Sequence, residues 1–226
     1  MIQAWEIFWA NVPWMVWNGF LALIPVPLAW LLLSRRHNAL THTTRNQLGR
    51  QMGLQQMGLQ WWLGVILLLL FLPNSAYVLT DIIHFVDDVR VPDISDYGII
   101  FVVIPQYFLF IALGFQCHVL VVMRWAKFCQ QRWGINMPLT EISTNLVCAI
   151  GIYLGRFDRF NTWDIVTAPV SLLFRIGQHF TEFHFYGAVF VFFGIISVLY
   201  AIAKPLTKGC YLYYKAYTLD AAESRP

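Results

Sequence analysis

Residues 14–33 read WMVWNGFLALIPVPLAWLLL, a run without a single charged side chain. A helix of about 20 apolar residues is long enough to cross the hydrocarbon core of a bilayer. The whole chain has the same character, with 58% hydrophobic and 12% charged residues, whereas a soluble domain carries about 25% charged residues. The sequence therefore predicts an all-α integral membrane protein with a single membrane-embedded domain over residues 1–226.

Five apolar runs predict five transmembrane helices. They cover about residues 14–33, 61–79, 98–123, 139–155 and 185–203. Pro25 and Pro27 remove backbone donors, so we expect a kink in the first helix. The positive charges follow the first run rather than precede it, which favours a retained helix over a signal peptide.

Residues 163–180 predict an additional, amphipathic helix between the fourth and fifth transmembrane helices. Apolar residues recur at helical spacing from Ile165 to Phe180, a pattern typical of helices that lie in the membrane interface. Asn161 is positioned to cap this helix, and Asp164 lies near its positive N-terminal end.

Lysine and arginine are distributed unequally between the two sides of the membrane. Eleven of the 15 lie in the loops 34–60 and 124–138 and in the C-terminal tail, and the other four are Arg90, Arg156, Arg159 and Arg175. Loops rich in Lys and Arg remain in the cytoplasm. We therefore expect the N-terminus outside and the C-terminus in the cytoplasm.

Polar side chains collect at the predicted outer ends of the helices. They are Asn18 in the first helix, Asn74, Tyr77, Asp81, His84 and Asp88 on one side of the second, and Arg156 and Arg159 at the end of the fourth. An ionisable residue at membrane depth is costly unless it finds a partner inside the bundle. We expect a shared outer cavity with an Asp81–Arg156 ion pair, for which Asp164 competes.

Three segments resemble a family of bacterial multi-pass membrane proteins known as domain of unknown function 1361. They are WNGFLALIP (17–25), FLPNSAYVLTDIIHF (71–85) and GIYLGRFDRFNTWDIVTAPVSLL (151–173). The family pattern has Pro at the position of Ala76, Leu at Asp158, Trp at Phe160 and Asn at Ala168. The resemblance implies a bacterial inner-membrane location and directs attention to Asn18, Asn74, Asp81, His84, Arg156, Asn161, Trp163 and Asp164. It implies no activity.

The polar cluster leaves several functions open. In the first, it orders the helices and binds a lipid headgroup or a partner membrane protein, because guanidinium groups match phosphate oxygens. In the second, the protein is a lipid-modifying or hydrolytic enzyme with Asp81 or His84 as general base and Arg156 and Arg159 on an anionic headgroup. A small-solute transporter is less favoured, because five helices without an internal repeat do not divide into inverted halves.

A metal site and a cofactor find little support in the sequence. Asp81, His84, His179 and His184, with Glu182, are candidate metal ligands of a type that suits zinc or iron, but their spacing matches no zinc signature. No Gly-rich nucleotide loop or serine nucleophile motif occurs, so we expect no cofactor. The basic residues lie in short loops beside apolar helices, which favours membrane lipids over nucleic acid as partners.

Overall fold

The structure is a computed structural model that describes residues 1–34, 58–160, 167, 169–179 and 182–223. Within these residues the chain is helical, without a β-strand, and five helices are long and apolar enough to cross a membrane. We number them span 1 to span 5. The predicted all-α membrane fold with five transmembrane helices is confirmed.

Several spans are composite, made of consecutive helical segments. Span 1 (Ile2–Leu32) contains helices Ile2–Leu23 and Pro25–Leu32, span 4 is Met137–Phe157, and span 5 (Phe183–Thr218) belongs to helix Phe183–Glu223. Span 2 (Leu59–Asp88) contains helix Leu59–Tyr77, a 3-10 turn Val78–Asp81 and helix Ile82–Asp88. Span 3 (Asp96–Trp133) contains helix Asp96–Gly98, a π-helical turn Ile99–Val103 and helix Ile104–Trp133. The expected break in the first helix is present at Ile24, directly before Pro25.

The observed helices are longer than the predicted ones. Span 1 begins at Ile2 instead of 14, span 3 continues to Trp133 instead of 123, and the last helix continues to Glu223 instead of 203. Apolar runs mark the part of a helix that lies in hydrocarbon, whereas backbone hydrogen bonding continues through polar residues beyond it. The predicted bounds were therefore too narrow as helix ends.

An amphipathic helix precedes span 5, as predicted. Its described part covers Pro169–His179, and most of the remainder of the predicted range 163–180 lies outside the described residues. Proline is favoured in the first turn of a helix, where its missing N–H has no partner to lose. Val170 and Phe174 of this helix are exposed, as befits a helix with one apolar surface in the membrane interface. The predicted capping residues Asn161 and Asp164, together with Trp163, lie outside the described residues.

Spans 2 and 3 form the central pair of the bundle, and the other three spans pack against them. Spans 2 and 3 contact each other and span 4, span 1 packs on spans 2 and 3, and span 5 packs on spans 3 and 4. Leu68, Leu72, Val119, Val122 and Ile152 are fully buried between them. Among the described residues, spans 1 and 4 both pack on span 2 but make little contact with each other. Span 2 therefore forms the floor of a groove whose walls are spans 1 and 4.

The two ends of the bundle differ in chemistry. At the end that holds the N-terminus, which we call the N-terminal end, the amino group of Met1 donates to Ser95 Oγ at 3.1 Å. The opposite end carries a cluster of tryptophans, in which Trp62 and Trp133 stack with ring centroids 6.1 Å apart. Tryptophan is enriched at membrane interfaces, so we expect this cluster at one boundary of the hydrocarbon region.

Candidate functional site

A cavity of about 390 Å³ opens in the groove between spans 1, 2 and 4. Its polar lining residues are Asn18, Asn74, Tyr77, Asp81, His84 and Arg156, and its apolar ones include Trp17, Leu21, Leu69, Leu70, Pro73, Val147, Ile150, Leu154 and Phe160. The volume lies in the range of sites for small molecules, about 300–1,000 Å³. Six of the predicted site residues therefore line one cavity.

Asp81 lies at the centre of the polar group. Its side chain is only 1% exposed, and Asn18 Nδ2 donates a hydrogen bond to its Oδ2 at 3.2 Å. Arg156 Nη1 lies 3.9 Å from its Oδ1, which is the ion pair expected from the sequence. Removing a carboxylate from water is costly unless it is paired, and spans 1 and 4 each supply a partner for Asp81.

Arg156 keeps much of its hydrogen-bonding capacity. Its side chain is 20% exposed, and among the described residues it contacts Asp81 at 3.9 Å and the hydroxyl of Tyr77 at 3.4 Å. Both distances are long for charge-assisted hydrogen bonds, which measure about 2.7–2.9 Å. A guanidinium group has five N–H donors, so this arginine can accept an anion in addition to its present contacts.

His84 and Asn74 border the cavity at two further points. The imidazole of His84 is exposed, and its ring lies 5.0 Å from that of Trp14. Asn74 Nδ2 donates to the carbonyl oxygen of Phe71 at 3.1 Å, one turn earlier in span 2. Asn74 therefore borders the cavity with one amide hydrogen bonded to the backbone of its own helix.

Close helix packing brings Arg156 beside Asp81. A Cβ atom on Gly151 would lie 2.7 Å from the ring of Pro73, and one on Gly155 would lie 3.3 Å from the ring of Tyr77. Contacts below about 3 Å cannot be met by a rigid proline ring. The two glycines therefore allow span 4 to approach span 2 over the turn that precedes Arg156.

Asp88, expected on the same side of span 2 as Asp81, does not line the cavity. Asp88 Oδ2 accepts hydrogen bonds from Asn11 at 2.6 Å and from the hydroxyl of Tyr107 at 2.8 Å. The 3-10 turn Val78–Asp81 has about 3.0 residues per turn instead of 3.6, so it rotates the following helix relative to a continuous α-helix. Asp88 consequently points towards spans 1 and 3.

The network around Asp88 was not predicted from the sequence. Asn11 is 6% exposed, and its Oδ1 accepts a hydrogen bond from Trp14 Nε1 at 3.0 Å. The signal available in the sequence was an asparagine directly before an apolar run. Its partners are 77 and 96 residues away along the chain, and such pairings cannot be read from local sequence.

Arg159, His179 and His184 do not line the cavity. Arg159 is exposed and has a positive φ of 57°, and His184 is exposed at the start of span 5. His179 Nε2 lies 2.8 Å from Asp158 Oδ2, and its Nδ1 lies 3.2 Å from Glu182 Oε2. Asp158 thus links span 4 to the amphipathic helix.

The charges around His179 set its protonation. Burial lowers the pKa of His179, but the hydrogen bonds to Glu182 and Asp158 and the charges of these carboxylates outweigh burial and raise this pKa above its ordinary value. An imidazolium ion donates from both ring nitrogens, as this geometry requires.

The four candidate metal ligands are not assembled. Asp81 and His84 line the cavity, whereas His179 is paired with Asp158 and Glu182, and His184 lies apart from both. Within the described part of the chain, no group of three or more His, Cys, Asp or Glu side chains lies close enough to hold a metal ion.

A second ion pair lies towards the opposite end of the bundle. Lys204 Nζ of span 5 donates to the carboxylate oxygens of Glu141 in span 4 at 2.5 and 2.7 Å. Glu141 is 8% exposed at its side chain. This pair and the hydrogen bond of 3.1 Å between His118 Nε2 and Asn145 Oδ1 join spans 3, 4 and 5, consistent with packing roles.

Five apolar helices around a groove with a polar end define a multi-pass membrane protein. The chain belongs to the family described as Protein of unknown function (DUF1361), which it matches over residues 17–199. Comparisons with curated proteins and with solved structures give no significant match.

The three segments that carry the family resemblance meet at the cavity. Segment 17–25 supplies Trp17, Asn18 and Leu21, segment 71–85 supplies the residues from Pro73 to His84, and segment 151–173 supplies those from Gly151 to Phe160. The remaining lining residues are Leu69, Leu70, Val147 and Ile150. Segments that are far apart in sequence thus build a single site.

Proposed function

We propose that this chain is a bacterial inner-membrane protein that binds the anionic headgroup of a membrane lipid in the cavity between spans 1, 2 and 4. In this proposal the N-terminal end of the bundle faces outwards and the C-terminus is cytoplasmic. Arg156 binds the anion, and Asp81 with Asn18 holds the three spans together around it. The ligand candidates Asn161, Trp163, Asp164 and Arg159 remain predictions.

The observation that carries the proposal is the position of Arg156. It lines a cavity with apolar walls, its contacts to Asp81 and Tyr77 are 3.9 and 3.4 Å long, and it is accessible at 20% of its side-chain surface. A guanidinium group that served only the fold would be expected to form short, bidentate contacts with its carboxylate. The long contacts favour an additional anionic partner.

The open side of the groove favours a lipid as this partner. Trp17 and Val147, on opposite walls, are 53% and 52% exposed without a bilayer, and both line the cavity. In a membrane these walls face hydrocarbon. A ligand that enters sideways from the bilayer keeps its apolar part in an apolar environment while its head reaches Arg156.

Binding of hexadecyl phosphate to the detergent-solubilised protein, measured by native mass spectrometry, tests the proposal. We expect Arg156→Gln to weaken binding about tenfold or more, because it removes the charge-assisted hydrogen bonds to the phosphate. Arg156→Lys keeps a cation beside Asp81 but loses the planar fork, so its binding should be intermediate. Arg90→Gln, which changes an exposed arginine that does not line the cavity, is the matched control. Equal binding by wild type and both Arg156 variants would refute the proposal.

A lipid-modifying or hydrolytic enzyme is a second candidate, because Asp81 and His84 line the same cavity as Arg156. A general base must lie within hydrogen-bonding distance of the group it deprotonates, and the exposed imidazole of His84 is the more accessible of the two. This candidate predicts turnover of an added phospholipid that is lost in His84→Gln and retained in Arg90→Gln, a change at an exposed arginine outside the cavity. Intact phospholipid after prolonged incubation with wild type would exclude it.

A further inference from the structure

We infer that the ligand of this site is a phosphate carried on a single long hydrocarbon chain, and that the chain lies in the groove along span 4 and ends beside Trp125. This inference rests on the proposed function, because it adds the chain to the headgroup bound by Arg156. It is carried by a second cavity that continues the first.

The second cavity has a volume of about 170 Å³ and lies next to the first. It is lined by Leu69, Leu72, Trp125, Ser143, Thr144, Val147 and Cys148, so Leu69 and Val147 border both cavities. These two side chains form the throat between them. The pair of cavities therefore makes one track that begins at Arg156 and Asp81 and ends at Trp125 and Ser143.

The second cavity, which we call the inner cavity, presents almost no polar group to an occupant. Its two hydroxyl residues are already satisfied, because Ser143 Oγ and Thr144 Oγ1 donate to the carbonyl oxygen of Thr140 at 3.0 and 2.6 Å. Apolar cavities of this kind do not hold water, which needs two to four polar partners. A hydrocarbon chain suits these walls.

The length of the track favours a long chain. Arg156 and Ser143 are 13 residues apart in span 4, which corresponds to about 20 Å at 1.5 Å per residue. Half of the hydrocarbon core of a bilayer measures about 15 Å. A chain bound at Arg156 by its head must therefore be longer than one leaflet is thick in order to reach the far end of the inner cavity at Ser143.

The volume of the inner cavity favours one chain rather than two. The inner cavity of about 170 Å³ has room for five or six groups of the size of a water molecule, roughly 30 Å³ each. This is space for the terminal methylenes of a single chain. The throat, bordered by Leu69 and Val147 on facing spans, gives this chain its path.

Chain length provides the test. Octyl, hexadecyl and dihexadecyl phosphate share the head chemistry and are compared at equal mole fractions in detergent by native mass spectrometry. In wild type we expect hexadecyl phosphate to bind about tenfold more tightly than octyl phosphate, because the additional methylenes gain packing contacts in the inner cavity. Dihexadecyl phosphate should bind more weakly than hexadecyl phosphate.

Two variants block the throat from its two sides, Val147→Phe and Leu69→Phe. Each should lower the affinity for hexadecyl phosphate about fivefold and lower that for octyl phosphate by less, so that the chain-length preference shrinks. Val191→Phe is the matched control, because Val191 lies on span 5, lines neither cavity and is 56% exposed, close to the 52% of Val147. Melting temperatures confirm that each variant is folded.

The outcomes separate the inference from the proposed function. No chain-length preference in wild type, an undiminished preference in both blocked variants, or tighter binding of dihexadecyl phosphate would overturn the single-chain inference. Each of these results leaves headgroup binding intact as long as Arg156→Gln weakens octyl and hexadecyl phosphate alike. Failure of Arg156→Gln to weaken either phosphate would overturn both.

Discussion

At the scale of single residues, the buried carboxylate of Asp81 is the most constrained group of the cavity. It is 1% exposed, whereas its partner Arg156 is 20% exposed. Loss of the arginine would leave a buried charge with the amide of Asn18 as its described partner, but loss of the carboxylate would leave a cation that water can still reach. The pair is therefore asymmetric in its contribution to stability.

We predict that Arg156→Gln lowers the free energy of unfolding by about 3 kcal/mol, the cost of stranding a buried charge. Asp81→Asn should cost about 1 kcal/mol, because it removes the charge but keeps a group that can accept from Asn18. The double variant should be more stable than the sum of the two losses implies. Chemical unfolding in detergent measures all three, and equal, additive losses would contradict the asymmetry.

His179 gives the fold a pH dependence whose direction follows from its raised pKa. A group with a raised folded pKa contributes stability that is fully present below its ordinary pKa of about 6.5 and is lost as the pH rises through the folded pKa. We therefore predict that His179→Gln melts below wild type at acidic pH and that the difference disappears at alkaline pH.

The control for this prediction is Asp158→Leu, which introduces the residue of the family pattern. It removes the carboxylate that lies 2.8 Å from His179, so the pH-dependent difference should shrink in this background. A difference between His179→Gln and wild type that grows with pH would contradict the assignment of His179 as the charged partner.

At the scale of helices, the contact between spans 2 and 4 depends on a missing side chain. We predict that Gly151→Ala lowers the free energy of unfolding by about 1–3 kcal/mol, the usual cost of overpacking, because its Cβ would lie 2.7 Å from the ring of Pro73. Thermal unfolding in detergent measures this change.

Gly194→Ala in span 5 is the matched control. A Cβ at this position meets no atom within 4 Å, so the better helix propensity of alanine should leave stability unchanged or raise it by up to about 1 kcal/mol. Equal effects of the two substitutions would show that the approach of spans 2 and 4 does not depend on Gly151.

The helices also show which structural features can be predicted from the sequence and which cannot. Hydrophobic runs identify all five spans, and alternation of the loops brings Asn18, Asp81 and Arg156 to the same end of the bundle. Local patterns do not reveal the 3-10 turn Val78–Asp81 that turns Asp88 away from the cavity, because it depends on packing against other spans. The pairing of Glu141 with Lys204, 63 residues apart, is likewise set by tertiary structure.

At the scale of the whole molecule, the distribution of charge predicts its orientation in the membrane. We predict that alkaline phosphatase inserted at residues 89–95, between spans 2 and 3, is active, because this loop is expected outside. Green fluorescent protein fused to the C-terminus should fluoresce, because that end is expected in the cytoplasm. Phosphatase inserted at residues 134–136 should be inactive, and the reverse pattern would contradict the orientation.

The length of the last helix has a consequence for the residues at its C-terminal end. Helix Phe183–Glu223 contains 41 residues, about 60 Å at 1.5 Å per residue, whereas a bilayer with its headgroups is about 40–45 Å thick. The helix is therefore roughly 15 Å longer than such a bilayer is thick. Pro205 lies inside it and removes one of its backbone hydrogen bonds, so the residues beyond Pro205 can bend relative to span 5 instead of following every tilt of that span as one rigid rod.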